Sequence, residues 1–453
     1  MQKIHREKAK TRRFVREMLP LAIPVAVNEF LRSSVHIVDT VMVGHISETA
    51  IASVNLAGQI FFVFILLLVG VCSGSAIFIA QYFGDKDTKG IQRTLGLSLL
   101  AATFVGAVFA IGGVAFSEEI ISFYTKDAAV ISAGADYLRI AGWTFPFVAL
   151  SFVYGTVLRT MHQAKIPLVV SFVALAVSTG LNFVFIFGHF GFPAMGVKGA
   201  ALATLFARIL ELALLFAVMR VKKSIALAPV KRLFSFSRTF VKRYAITNYP
   251  VMLNDIGWAL GVSLYSKIYA GISTQALTAV VVADTIFMLF FVVFFGTGSA
   301  SSILIGNKIG ERNLARAQEY AKIVLKIFTP VSICFALILF AGSWTFPRIY
   351  GVEADTLRMT TIVLWAYAFI MPFKCFNYHT VCGILRSGGD TKFALAADIG
   401  GIWLIGLPMA LLARDILGLP LIGVVMFLLS EEIIKSVITY HRVKSGKWIN
   451  RVI

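Results

Sequence analysis

Long apolar stretches recur along the whole chain and restrict its fold more than any other feature. Stretches of about 18 or more apolar residues, such as the run over 51–80, are long enough to cross a bilayer as a helix. Only 14% of the 453 residues are charged, whereas a soluble protein carries about a quarter. The sequence therefore predicts an all-α protein that crosses a membrane many times.

Twelve such spans can be counted along the chain. They lie at 19–43, 51–80, 93–116, 131–158, 168–188, 198–220, 246–271, 276–306, 317–345, 357–384, 393–413 and 420–442. Several spans exceed the ~20 residues that a crossing requires, so we expect tilt or extension beyond the bilayer.

The basic residues divide the chain and orient it. Most of the 42 lysines and arginines lie in segments that twelve spans place on one side, which the positive-inside rule assigns to the cytoplasm with both termini. We expect a basic cytoplasmic N-terminus (1–18), a six-helix lobe (19–220), a basic linker (221–245), a second lobe (246–442) and a basic tail (443–453). The linker stretch RLFSFSRTF is interpreted as an amphipathic helix on the membrane. The net charge of +19 then faces anionic lipid rather than nucleic acid, and the N-terminus lacks the pattern of a cleavable signal peptide.

The two halves repeat each other with an offset of 226 residues (250 minus 24), which carries Pro24 to Pro250 and Glu29 to Asp255. An even number of spans per half gives both copies the same membrane orientation. Parallel repeats predict two six-helix lobes related by a pseudo-two-fold axis along the membrane normal, which work by alternating access.

The first span carries an unusual polar stripe. Glu29, Arg32, His36 and Asp39 fall on one helix face, over about 15 Å at 1.5 Å per residue. A charge near mid-membrane costs about 3 kcal/mol to insert. The stripe is therefore predicted to face other helices or a water-filled cavity.

Several segments of the chain are distinctive: Pro24 with DTVMVG at 39–44, LNFVFIFGHFGFPAMGVKGAALAT at 181–204, the loops GDKD at 84–87 and GERN at 310–313, and GILRSGGDTK at 383–392. Together they resemble the multidrug and toxic compound extrusion (MATE) transporters, in their prokaryotic DinF-like or NorM-like form. The resemblance covers nearly the whole chain. It implies antiport, in which organic cations or amphipathic drugs leave in exchange for H⁺ or Na⁺.

The resemblance also suggests where coupling occurs. Asp39 matches the first-helix aspartate that the family uses for coupling, and Asn182 and Thr204 match positions around it. Desolvation would let Asp39 exchange a proton near neutral pH or hold Na⁺, with His36 one turn away. Some members have another aspartate at Ile186, so the loss of that ligand favours H⁺. A structural pair of Asp39 with His36 is the alternative.

The proline in the first span suggests a point at which this helix can bend. Pro24 removes a helix hydrogen bond and can kink the span, and related transporters are proposed to bend there. The alternative interpretation is that Pro24 is only the residue at which the helix begins.

Other intramembrane polar groups are candidates for the substrate cavity. We expect Lys374 to pair with Asp255 or Asp284, because an unpaired ammonium at that depth is costly. Glu29 with Arg32, Arg208 with Glu211, and the Glu431–Glu432–Lys435 group are interpreted as ion pairs, and the role of Asp398 is open. The candidate cavity residues are Glu29, Arg32, Asp255, Asp284, Lys374 and Asn377.

Three other classes of function are alternatives to an antiporter. A flippase for lipid or lipid-linked oligosaccharide of the same superfamily is the main alternative. The sequence contains no paired catalytic motif that would indicate an enzyme, and no filter motif that would indicate a channel. We expect a monomer in a prokaryotic plasma (inner) membrane, with no cofactor beyond the coupling ion and no metal other than Na⁺ at Asp39.

Overall fold

The structure is a computed structural model that describes the backbone of residues 2–453. It also describes their side chains, except those of residues 2–4, 6, 32–41 and 48.

In the part of the first half that the structure describes, there are nine α-helices. They are α1 (Gln2–Gly44), α2 (Glu48–Gly84), α3 (Thr88–Ala115), α4 (Ser117–Ser122), α5 (Ala128–Ala141), α6 (Thr144–Thr160), α7 (Lys165–Phe187), α8 (Gly196–Val221) and α9 (Val230–Leu233).

The second half adds seven α-helices and several shorter helical segments. The α-helices are α10 (Arg238–Ala270), α11 (Thr274–Gly310), α12 (Leu314–Gly342), α13 (Ala354–Tyr378), α14 (Thr391–Gly400), α15 (Leu407–Leu411) and α16 (Leu421–Lys444). A 3₁₀ turn covers Phe346–Tyr350, and π-helical segments cover His379–Leu385, Gly401–Gly406 and Leu412–Ile416.

The predicted all-α membrane fold is confirmed. Within the described residues, eight helices are long and apolar enough to cross a membrane, or nine if the bent pair α5–α6 is one span. The three other predicted spans correspond to α1, α10 and α16, which have 43, 33 and 24 residues and are long enough to cross. These three helices carry intramembrane charges, which a hydropathy criterion penalises.

The N-terminal basic stretch is part of a helix. It continues without a break into the first span, so that Pro20 and Pro24 lie inside α1. Pro24 is therefore not the entry residue of this helix.

Two compact units can be described separately. One comprises Met1–Ala26, Ala80–Asp85 and Ala245–Ile453, and the other comprises Val27–Ile79 and Lys86–Tyr244; we call them the C-terminal and N-terminal units. The lobe boundaries from the sequence stay a prediction.

Glycines permit close helix packing in each unit. In the N-terminal unit, a Cβ on Gly199 of α8 would lie 2.5 Å from the Phe185 carbonyl oxygen of α7. In the C-terminal unit, a Cβ on Gly296 of α11 would lie 2.5 Å from the Ala22 carbonyl oxygen of α1. Only glycine fits at either contact.

The fourth span is bent. Its halves, α5 and α6, meet at 49°, and Pro146 lies in the first turn of α6, where a missing N–H costs no helical bond.

The prediction of an amphipathic helix over the linker stretch RLFSFSRTF was wrong. Helix α9 ends at Leu233, because the linker serines bind backbone groups instead. Ser235 Oγ donates to the Arg232 carbonyl, and Ser237 Oγ accepts from the Phe240 N–H in the first turn of α10.

Candidate functional site

A cavity of about 210 Å³ lies within the N-terminal unit. Helices α1, α2, α6, α7 and α8 form its walls. The lining residues are Asn28, Glu29, Leu31, Phe61, Ile65, Val148, Ser151, Phe152, Gly155, Arg159, Pro167, Ser171, Ala174, Leu175, Ser178, Ala207, Arg208, Glu211 and Leu215.

One wall carries a partly buried ion pair. Arg208 Nη1 lies 2.9 Å from Glu211 Oε2, and Ser171 Oγ donates to Glu211 Oε1 at 3.0 Å. The two charged residues share a face of α8 because they are three positions apart, and the serine reaches them from α7. Both Glu211 oxygens therefore have partners, as a buried carboxylate requires.

The facing walls mix one more cation with apolar surface. Arg159 of α6 donates to Thr156 Oγ1 at 2.9 Å. Phe61 of α2 stacks on Phe145, with ring centroids 6.0 Å apart. A molecule in this cavity would thus meet charges of both signs beside aromatic and aliphatic side chains.

The polar stripe predicted on the first span is only partly described. Glu29 lines the cavity, but the side chains of Arg32, His36 and Asp39 lie outside the described part of the structure, although their backbone belongs to α1. Asp39 is ten residues beyond Glu29, or about 15 Å along the helix axis. Their roles stay predictions.

The predicted neighbours of Asp39 belong to the same unit. Asn182 of α7 is fully buried, Thr204 of α8 is half-buried, and Ile186 is buried one turn after Asn182. The contacts of the Asp39 side chain lie outside the described part of the structure.

The C-terminal unit contains a second group of polar side chains within its helices, here called the C-terminal polar cluster. Its members come from α10, α13, α14, α16 and the π-helical end of α13. They are Asn254, Asp255, Tyr265, Asn377, Arg386, Asp398, Glu431, Glu432 and Lys435.

Lys435 lies at the centre of this cluster. Its Nζ is 2.9 Å from Asp398 Oδ1, 3.3 Å from Glu432 Oε2 and 4.0 Å from Glu431 Oε2. Asn254 Nδ2 donates to the other oxygen of Asp398 at 3.0 Å. Asp398, which had no partner in the sequence interpretation, is thus held by two helices.

Two members of the cluster, Asp255 and Asn377, were predicted to line the substrate cavity. Both have partners within the cluster. Asp255 pairs with Arg386 at 2.7 Å rather than with Lys374. Asn377 donates to the Glu432 main-chain oxygen and carboxylate, both at 2.7 Å.

Lys374 and Asp284 lie elsewhere in the same unit. Lys374 Nζ is 4.9 Å from the ring centroid of Phe287, a cation–π contact. The charge of Lys374 also acts on Asp284, which hydrogen-bonds with Tyr367. Of the two partners expected for Lys374, the structure is therefore consistent with Asp284 and not with Asp255.

Sequence reasoning missed two cations. Arg159 lines the cavity, yet the predicted span 131–158 ends one residue before it. Arg386 lies in the motif GILRSGGDTK, but its partner is 131 residues away. The (i, i+3) spacing did indicate the Arg208–Glu211 pair, although not that it faces a cavity.

The comparison with protein families decides the classification. The family model described as MatE matches residues 24–187 and again residues 250–412. The matches together exceed half of the chain, and they begin 226 residues apart (250 minus 24), as the internal repeat predicts. The chain belongs to the MATE family. It is therefore a transporter, and the two matched ranges are its homologous halves.

Individual MATE proteins resemble the chain over nearly its full length. It is 24% identical to the uncharacterized transporter YisQ of Bacillus subtilis, covering 95% of this chain and 94% of that protein. It is 25% identical to the multidrug resistance protein MdtK of Proteus mirabilis, covering 88% and 87%. A crystal structure of MATE in complex with MaL6 matches with a TM-score of 0.85 and 18% identity, over 96% of this chain and 97% of that one.

Proposed function

We propose that this MATE protein is a multidrug exporter that exchanges protons for small amphipathic or cationic organic molecules. It works as a monomer in the plasma membrane, by alternating access of its two lobes, with both termini in the cytoplasm. The multidrug resistance protein MdtK, which it resembles over most of its length, supports the substrate class.

The observation that carries the proposal is the lining of the N-terminal cavity. Glu29 and Glu211 can attract an organic cation, while Phe61 and Phe152 offer ring surface to its apolar body. Such a lining favours amphipathic molecules without demanding one shape.

The same lining argues against lipid-linked oligosaccharide as cargo. A phosphate group would meet Glu211, whose two carboxylate oxygens face a serine and an arginine already. The two acids and the two arginines that line the cavity give it no excess of positive charge, so it offers little attraction to an anionic headgroup.

Proton coupling is proposed at Asp39. The helix α1 that lines the cavity through Asn28 and Glu29 also carries His36 and Asp39. Ile186 offers no oxygen where some relatives have a carboxylate, and hard cations prefer charged oxygen ligands. A proton needs only the carboxylate, so H⁺ is favoured over Na⁺.

A bend in α1 would link the coupling site to transport. Pro24 lies inside this helix, and the boundary between the two compact units falls two residues later, between Ala26 and Val27. A proline at this position lacks one backbone hydrogen bond, so bending costs less there than elsewhere in the helix.

The test uses purified protein in proteoliposomes with an imposed proton gradient or an imposed sodium gradient. We expect export of a cationic dye under the proton gradient, and loss of most of that export in Asp39→Asn. Glu119→Gln, which changes an exposed carboxylate, is the matched control. Dye export by Asp39→Asn at the wild-type rate would contradict the coupling assignment. Movement of labelled lipid without dye export would favour a flippase.

A further inference from the structure

Glu431 of α16 lies in a cradle built from two glycines and a tyrosine. A Cβ on Gly401 would lie 2.8 Å from Glu431 Oε2, and a Cβ on Gly406 would lie 2.6 Å from the Tyr265 hydroxyl and 3.4 Å from Glu431 Cδ. Tyr265 donates to Glu431 Oε1 at 3.1 Å. Any larger residue at either glycine would occupy the space of the carboxylate or of its donor.

The cradle is part of an irregular helix. Gly401 and Gly406 are the two ends of a π-helical segment. Such segments are rare and occur frequently at functional sites, because they break the regular hydrogen-bond ladder. Here the irregularity places both glycines against one carboxylate.

The charges around Glu431 do not balance. Among the described residues, the C-terminal polar cluster contains the four carboxylates of Asp255, Asp398, Glu431 and Glu432 and the two cations of Arg386 and Lys435. With every group ionised its net charge is −2. An uncompensated charge is costly in a buried site, so one carboxylate favours the neutral, protonated form.

The contacts single out Glu431 as that carboxylate. Asp255 has Arg386 at 2.7 Å, Asp398 has Lys435 at 2.9 Å, and Glu432 has Lys435 at 3.3 Å. Glu431 is only 4% exposed, and its nearest cation is 4.0 Å away. Its Oε2 is buried, with no hydrogen-bond partner among the described residues.

We propose that Glu431 is a proton-binding site of the C-terminal unit, and that the proton sits on Oε2 facing Gly401. Binding converts the carboxylate to a carboxylic acid and lowers the negative charge of the cluster by one. The groups that face Glu431 or its partners are Tyr265 and Asp255 of α10, Asp398 of α14, Cys375 of α13, Cys382 of the π-helical segment after α13, Arg386 directly after that segment, and Glu432 and Lys435 of α16. Of these, Tyr265 and Lys435 favour the ionised form of Glu431, whereas Glu432 and Asp398 favour the protonated form.

Infrared difference spectroscopy on the purified full-length protein tests this directly. The carbonyl stretch of a protonated carboxyl group appears and disappears as the pH of the buffer is changed. Above the pH range in which exposed carboxyl groups titrate, we expect Glu431→Gln to lose the intensity of one titrating carboxyl group and the exposed Glu119→Gln to lose none. An unchanged band in a folded Glu431→Gln protein would overturn the proposal.

Two further variants keep the test decisive if Glu431→Gln does not fold. Tyr265→Phe removes a hydrogen bond to the ionised form, so the midpoint of the band should move to higher pH. Glu432→Gln removes a neighbouring negative charge, so the midpoint should move to lower pH by a similar amount. Equal midpoints in both variants and in the wild type would place the proton elsewhere.

The biological role of this proton rests on the proposed proton-coupled export, but the spectroscopic test does not. If Asp39→Asn proteoliposomes exported dye normally while Glu431 titrated as expected, the coupling assignment would fail and the C-terminal proton site would stand. If both sites exchange protons during transport, Glu431→Gln should alter the pH dependence of export that Asp39 supports.

Discussion

The guanidinium of Arg386 lies 2.7 Å from the carboxylate of Asp255, and both side chains are largely buried in the C-terminal unit. Asp255 is the repeat partner of Glu29, so the two halves use equivalent acids differently. In the N-terminal half the acid lines a cavity, whereas in the C-terminal half it is held in an ion pair between α10 and the end of α13.

Arg386→Gln should strongly destabilise the protein, because it leaves the Asp255 carboxylate buried without its cation. Breaking such a pair costs about 3–5 kcal/mol. The double variant with Asp255→Asn should recover much of that loss, since no charge remains unpaired. Thermal unfolding of the detergent-purified variants measures both effects, with the exposed Arg358→Gln as the matched control. If the double variant were less stable than Arg386→Gln, the pair would not be the source of the loss.

The membrane fold could be predicted because it depends on local signals. Apolar runs of the length of a bilayer and the 226-residue repeat are visible without knowing any contact. The repeat was confirmed by the two family matches at 24–187 and 250–412.

The extent of α1 could not be predicted, because it depends on distant partners. The basic stretch before residue 19 read as a cytoplasmic tail. In the structure, Lys10 pairs with Glu319 at 2.8 Å, and Glu17 accepts from Tyr320 at 2.8 Å. Contacts to α12, some 300 residues later, thus stabilise a helix whose local sequence carries many like charges.

The sequence predicted only part of each candidate site, for the same reason. Spacing within one helix indicated the Arg208–Glu211 and Glu431–Lys435 pairs. It did not reveal that Ser171 of α7 completes the first or that Asp398 of α14 joins the second, because those contacts arise only from helix packing.

Trp448 in the C-terminal tail should contribute strongly to stability, since its side chain is only 1% exposed. The tail continues beyond it along the end of α2, where the Val452 N–H donates to Gln81 Oε1 at 2.9 Å and Arg451 pairs with Asp85 at 2.7 Å. Trp448→Ala should cost about 3–5 kcal/mol and expose the tail to protease. Trp344→Ala, which alters a tryptophan that is 48% exposed, should cost far less. Equal losses of thermal stability in the two variants would contradict this role.

Glu17 should make the attachment of the N-terminal part of α1 sensitive to acid. Burial raises the pKa of this carboxyl group, but hydrogen bonds from Tyr320 and Arg13 and the charge of Lys308 outweigh burial and hold the pKa below its usual range. A lowered pKa in the folded state means that the stabilisation is present above the unfolded value of about 4.3 and is lost as the pH falls through the folded value.

We therefore expect Glu17→Gln to lower stability by about 1 kcal/mol at neutral pH and to have little effect once the wild-type carboxyl is protonated. Thermal unfolding, measured from neutral pH down through the acidic range in which the wild-type carboxyl becomes protonated, gives the difference between the two proteins. Glu119→Gln, at an exposed position, controls for loss of a charge in general. A difference that stayed constant across this pH range would rule out titration of Glu17 as the cause.

The sign of the charge at residues 208 and 211 should set which substrates enter the N-terminal cavity. Glu211→Gln leaves the Arg208 guanidinium without its carboxylate beside the cavity, so export of a cationic dye should fall, by roughly tenfold for the loss of about 1.4 kcal/mol of charge-assisted binding. Arg208→Gln removes the cation and should weaken export of an anionic dye instead, by a similar factor. Because Arg220 lies on the same helix but is exposed, Arg220→Gln should change neither. The measurement is the ratio of the initial export rates of the two dyes in proteoliposomes, which cancels differences in the amount of active protein. If Glu211→Gln and Arg208→Gln moved that ratio in the same direction, the pair would act on folding or on coupling rather than on substrate charge.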